Sequence, residues 1–116
     1  MREVTDTTFE QEVLQAERPV LVDFWAPWCG PCHAITPVLQ SLEDEVGDRV
    51  SFTKVNVDEN PVAASRYGVL SIPTVILFDG GEPKGALLGA RPRSHYEQVL
   101  REVLPAAELD RNAVAE

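Results

Sequence analysis

Cysteine, methionine and positive charge are all scarce in this chain of 116 residues: two Cys, one Met, and 10 Lys plus Arg against 19 Asp plus Glu. Two cysteines cannot staple a disulfide-rich scaffold. A net charge of -9 repels phosphate backbones and anionic lipid, which argues against nucleic acid or a membrane surface as a partner. No apolar run is long enough to cross a bilayer. The start, Met1-Arg2-Glu3-Val4-Thr5-Asp6, has no apolar segment after its positive charge, as an export signal would, so a cytoplasmic location is expected. In that reducing compartment a lone cysteine pair points to catalysis or metal binding rather than to a structural bridge. Repeats, linkers and low-complexity tracts are absent as well. One domain over residues 1–105 is expected, with 106–116 as a frayed or disordered tail poor in apolar residues.

What is present is a regular alternation of strand and helix patterns. Thr7-Thr8-Phe9-Glu10 reads as a capping box, opening a short helix that ends near Glu17. Val20 to Trp25 is an apolar run broken only by Asp23, as in a central strand covered on both faces. From Cys29 onward, Ile35, Val38, Leu39, Leu42 and Val46 recur at helical spacing, with Pro37 inside as the site of a bend and Gly47 as the stop. Val50 to Val57 alternates like a strand, parallel to the previous one through the helical crossover. Asn60-Pro61 predicts an N-cap and first turn, closed by Tyr67-Gly68. Thr74 to Phe78 is another central strand, and Asp79-Gly80-Gly81-Glu82 turns it into an antiparallel edge strand over Pro83 to Leu88. A last helix begins near Pro92 to Ser94, carries Tyr96, Val99, Leu100 and Val103 on one face, and ends before Pro105. With a short first strand at Glu3-Val4-Thr5 the class is α/β: a mixed sheet of five strands, or four without it, with helices on both faces.

The chemistry concentrates at Trp25-Ala26-Pro27-Trp28-Cys29-Gly30-Pro31-Cys32, where a strand meets a helix. Cys-x-x-Cys beside a β-α-β pattern is a known redox signature. A thiol attacks a disulfide only as the thiolate, and Cys29 at the helix N-terminus meets unpaired N–H groups and the positive end of the dipole. Cys32, one turn in, is expected to be more buried. Cys29 is therefore the expected nucleophile, and Cys32 the thiol that resolves the mixed disulfide. Asp23, a carboxylate in a strand suited to burial, is expected to lose solvation and hold a raised pKa, ready to accept a proton near neutrality. A purely structural ion pair with Lys54 is the competing role. Trp28 is expected at the surface, covering the thiols and offering an apolar contact, and Trp25 in packing.

These motifs, with Asp23, Lys54, Ile72-Pro73-Thr74 and Gly89-Ala90 in the same order, resemble the thioredoxin family from about Thr7 to Leu104. The resemblance implies the thioredoxin fold and general reduction of protein disulfides without a bound cofactor, the active group being the Cys29–Cys32 couple. It implies that Gly30 and Pro31 tune that couple towards reduction. It also implies that Asp23 helps deprotonate Cys32, through a water. Pro73 would be cis, facing the cysteines and leaving the backbone at Ile72 free to pair with an extended substrate. Gly89 and Ala90 would let another chain approach. A flavin-containing thioredoxin reductase, drawing on NADPH, would restore the dithiol, and the protein would act as a monomer on disulfide-containing proteins.

His33 and Pro27 depart from the commonest family pattern, which has a basic residue after the second cysteine and a polar one before the second tryptophan. Two rival chemistries fit these residues less well. Zinc held by the cysteines with His33 and His95 lacks paired ligand spacing, and a solvated helical histidine is the better expectation for both. Cys29-Gly30-Pro31-Cys32-His33 satisfies the attachment pattern of c-type haem, but Met1 is the sole methionine and the β-α-β context is wrong for a small cytochrome. A thiol oxidase or disulfide isomerase of the same fold would share the cysteine motif and differ in its reduction potential. A binding scaffold that uses the tryptophan tip would carry the same thiols idle.

Overall fold

In the computed structural model, which describes residues 1–105 and 109, one five-stranded sheet separates two helical layers. The strands are β1 (Arg2–Glu3), β2 (Val20–Trp25), β3 (Ser51–Asn56), β4 (Thr74–Asp79) and β5 (Glu82–Leu88). The helices are α1 (Gly30–Val46), α2 (Pro61–Arg66) and α3 (Arg93–Leu100). Across the sheet the strands run β1-β3-β2-β4-β5. β2 is parallel to β3 and antiparallel to β4, so the sheet is mixed, with the short β1 and the proline-bearing β5 at its edges.

The period of two along β2 sorts its side chains between two cores. Val20, Val22 and Phe24 face the layer that holds Phe9, Val13 and α2 through Ala63 and Ala64. Leu21 faces the layer of α1 and α3, with Leu39, Leu42, Tyr96 and Leu100 fully buried there. Removing a buried leucine such as Leu39 destabilises by about 2–5 kcal/mol, because the cavity closes only in part. Asp23 shares the parity of Leu21, so the strand that carries the apolar core also puts a carboxylate on the α1 face, with Lys54 and Val75 as its cross-strand partners.

Several local expectations need correcting. The first helix is a single π-helical segment, Glu10–Leu14, closed by the Gln15 amide on the Glu10 carbonyl at 2.9 Å. Its N-cap is Phe9, and the threonines make their own turn instead, Thr5 N–H bonding to Thr8 Oγ1 at 2.9 Å. β1 lies at Arg2–Glu3, not at residues 3–5. Asn60 does sit at the N-cap of α2, but its side chain does not cap it. The amides of Val62 and Ala63 bond to the Asp6 carboxylate at 3.1 and 2.9 Å, and Asn60 Oδ1 accepts from the Asp6 amide. α1 continues past Pro37, and Gly47 stops it as expected, in a right-handed conformation. α3 ends at Leu100, earlier than Pro105, because the chain tightens into bonds from Val103 to Leu100 and Glu102 to Val99.

The hairpin between β4 and β5 uses Gly80 and Gly81 at φ 63° and 83°, as a two-residue turn of matching twist requires. The register shifts between Leu77 and Phe78, where Pro83 pairs with Phe78. The expected frayed tail lies outside the described residues except at Leu109, which is helical and buried against the α1–α3 core.

Candidate active site

β2 ends at Trp25, the chain turns through Ala26 to Trp28, and α1 starts at Gly30 with Cys29 as its N-cap. Cys29 Sγ accepts a hydrogen bond from the Cys32 amide at 3.2 Å, and no acidic residue occupies the first turn of α1. Both features favour negative charge on that sulfur. Pro31 falls within the first two helical positions, where a missing N–H leaves no bond unmade. A Cβ on Gly30 would meet nothing, so packing within the chain does not demand glycine there.

Cys29 and Cys32 form a disulfide across a Cα–Cα distance of 5.3 Å. In this oxidised state Cys29 is 5% exposed and Cys32 2%. Cys32 is the more buried of the two, as expected, but only narrowly: both are covered, and what separates them is the cap position of Cys29 and its amide bond.

Cys29 Sγ lies 3.8 Å from the carbonyl oxygen of Ile72, and the Ile72–Pro73 peptide is cis. A disulfide sulfur has no proton to give, so this contact becomes a hydrogen bond only in the dithiol. The Pro73 carbonyl accepts from the Gly89 amide at 2.8 Å, and Gly89 has φ +78°, a conformation that favours glycine. Three separated segments are thus linked in series, Cys29 to Ile72 and Pro73 to Gly89, and Ala90, next in the chain, is exposed.

Trp28 is 70% exposed and is held by its indole N–H on Asp58 Oδ2 at 2.8 Å. Together with Val57, Val69, Leu70, Ser71 and Ile72 it lines a shallow groove of about 330 Å³ beside the disulfide. Leu70 is 99% exposed. Neither Asp58 nor Leu70 is among the residues the sequence points to. An apolar residue just before Ser71-Ile72-Pro73 was the available signal for Leu70, and nothing local announces Asp58.

Behind the disulfide, a second cavity of about 160 Å³ is lined by Asp23, Trp25, Cys32, His33, Thr36 and Lys54, with Met1 at its rim. Asp23 is 2% exposed, and its Oδ1 is buried without a hydrogen-bond partner. Burial pushes its pKa up from 3.8 to about 7, against the opposing pull of the Lys54 charge. Among the described residues no ion pair joins the two, and the Lys54 ammonium instead lies 5.0 Å from the centre of the Trp25 ring. Lys54 therefore biases Asp23 through space without neutralising it.

His33 is exposed, and its Nε2 lies 2.7 Å from the Pro27 carbonyl oxygen. Its ring meets Trp25 edge-on at 6.1 Å. No group of three or more potential metal ligands occurs among the described residues. No helix among them is long and apolar enough to cross a membrane.

Comparison with known proteins agrees with this geometry. The family model described as Thioredoxin matches residues 1–102. Thioredoxin 1 of Synechococcus elongatus is 52% identical over 97 residues, covering 84% of this chain and 91% of that protein. Thioredoxin 1 of Nostoc sp. is 48% identical over 102 residues, covering 88% and 95%. The thioredoxin of Alicyclobacillus acidocaldarius is 48% identical over 101 residues, covering 87% and 95%.

Proposed function

Because the chain belongs to the thioredoxin family, a family of thiol–disulfide oxidoreductases, we propose that residues 1–105 form a general protein-disulfide reductase in which Cys29 attacks, Cys32 resolves and Asp23 takes the proton. The observation that carries this reading is the placement of Cys29 Sγ as the N-cap of α1, bonded to the Cys32 amide. An ordinary cysteine, with a pKa of about 8.5, is only about 3% thiolate at neutral pH. Lowering that value by one unit raises the attacking fraction about eightfold, and the gain levels off as the pKa falls below the pH.

In the reduced protein the Cys29 thiolate attacks a substrate disulfide. The substrate S–S bond breaks, its electron pair leaves on the departing substrate sulfur, and a mixed disulfide forms at Cys29. Cys32 then passes its proton to Asp23 and attacks Cys29 Sγ. The intramolecular disulfide forms and the second substrate sulfur is released as thiolate. Two electrons have moved from protein to substrate, and the chain is left with the Cys29–Cys32 bond seen here. No bound cofactor enters this exchange.

Ile72 and Pro73, with Gly89 and Ala90 alongside, provide a backbone surface for an extended substrate. Trp28 supplies its apolar flank, and Gly30 and Pro31 set the reducing poise. Lys54 supports Asp23. A thioredoxin reductase using NADPH returns the dithiol, which makes the protein an electron carrier in the cytoplasm, where protein thiols are kept reduced. It acts as a monomer, since one chain supplies every group named.

The test is reduction of insulin disulfides with dithiothreitol as electron source. Cys29→Ser abolishes turnover and forms no adduct. Cys32→Ser abolishes turnover but accumulates a mixed disulfide visible by mass. Wild-type protein that leaves insulin intact, or an adduct on Cys32 in place of Cys29, contradicts the assignment.

A further inference from the structure

We propose that His33 is the proton relay that connects Asp23 to solvent during the resolving step. This rests on the function proposed above, in which Asp23 receives the Cys32 proton. His33 acts through Asp23 and so positions and passes a proton without taking part in sulfur exchange.

Asp23, 2% exposed, exchanges its proton with bulk water only by way of the cavity it faces. Each catalytic cycle loads it once, and a basic side chain on that route speeds the unloading. His33 is placed for that. It follows Cys32 directly, lines the same 160 Å³ cavity into which Asp23 faces, and is itself exposed. A cavity of that size takes water, and the unpartnered Asp23 Oδ1 and Trp25 Nε1 offer it an acceptor and a donor.

The Pro27 carbonyl can only accept, so the 2.7 Å contact fixes the proton of His33 on Nε2. In the neutral ring Nδ1 is then left bare as a proton acceptor. The two residues that depart from the commonest family pattern, Pro27 and His33, are thus joined to each other in one arrangement. The ring also meets Trp25 edge-on.

The remaining charged groups around the cavity are less suited to the task. Lys54, from β3, is already a cation and is placed over Trp25. The α-amino group of Met1, at the rim, is ion-paired with Glu43 of α1 at 3.2 Å. Tyr96, from α3, is fully buried, and burial and the Asp23 charge both raise its pKa. In the relay the Cys32 proton moves to Asp23, from Asp23 across cavity water to His33 Nδ1, and from the imidazolium to bulk. No electrons beyond those of the disulfide exchange are involved.

The experiment follows the two steps separately in single turnover, from pH 6 to 8, for wild type, His33→Gln and Asp23→Asn. Glutamine keeps a donor for the Pro27 carbonyl but cannot carry a proton. In His33→Gln the attack by Cys29 is unchanged, the resolving step slows about tenfold near pH 7, and added imidazole restores it while leaving wild type unaffected. A resolving rate in His33→Gln equal to wild type across the range, or a loss that imidazole does not restore, overturns the relay. If Asp23→Asn slows resolution while His33→Gln does not, the relay alone fails. If Asp23→Asn resolves at the wild-type rate, the underlying role of Asp23 fails with it.

Discussion

Asp6, half-buried, and Asp23, fully buried, lie in different regions of one small domain, and the two carboxylates serve different ends. At the start of α2, Asp6 accepts two backbone N–H bonds from Val62 and Ala63, and its own amide is tied to Asn60. Behind the disulfide, Asp23 faces a cavity with one oxygen unpartnered and a pKa pushed up to about 7. The contrast teaches what hydrogen bonding does to a carboxylate taken partly or wholly out of water. A carboxylate whose oxygens are bonded stabilises the fold in its charged form, whereas one left unbonded destabilises the fold when charged and is free to exchange a proton.

The contrast can be broken most strongly at Asp23. Its pKa is higher folded than unfolded, so the folded state holds the extra proton between about pH 4 and 7, and stability falls as pH rises through that window. The accumulated loss is about 4 kcal/mol. Asp23→Asn in the oxidised protein is expected to unfold like wild type near pH 4 and to be more stable by about that amount at pH 8, as measured by denaturant titration. Asp6→Ala is expected to do the reverse, losing about 1–2 kcal/mol for want of the α2 cap while the rate of disulfide reduction stays the same. Lys54→Met sharpens the comparison by removing the charge that opposes burial. Asp23 then titrates higher still, and the pH-dependent loss of stability extends to higher pH in the same titration. Asp58→Ala has the smallest effect. This third carboxylate is partnered by Trp28 but exposed, so unfolding free energy should shift by less than about 0.5 kcal/mol.

Asp23 could be read in advance because its signal is local: a charge inside the apolar run Val20 to Trp25 has nowhere to go but into the core. The same holds for β2, β3, β4, the Gly80-Gly81 hairpin and the cysteine-bearing helix, where period, turn residues and cap all point one way. Asp6 could not be read, because its partners lie 56 and 57 residues away and Asn60-Pro61 looked like a sufficient cap by itself. The π-helical turn at Glu10–Leu14 escaped for a related reason, since a capping box and apolar spacing do not distinguish one wide turn from a regular helix. Leu100 ends α3 although Val103 continues its apolar face, because the tighter turn keeps that side chain on the core. At the site, the sequence pointed to which residues would meet. The cover over both sulfurs, the Trp28–Asp58 bond and the His33–Pro27 bond depend on how the loops close on one another.

The most direct measurement is the single-turnover rate at which Cys32 resolves the Cys29 mixed disulfide at pH 7 in wild type and Asp23→Asn. A buried, unpartnered carboxylate that takes the Cys32 proton predicts resolution about 100-fold slower in the variant, with the initial attack by Cys29 unchanged. Equal resolving rates in the two proteins would contradict it.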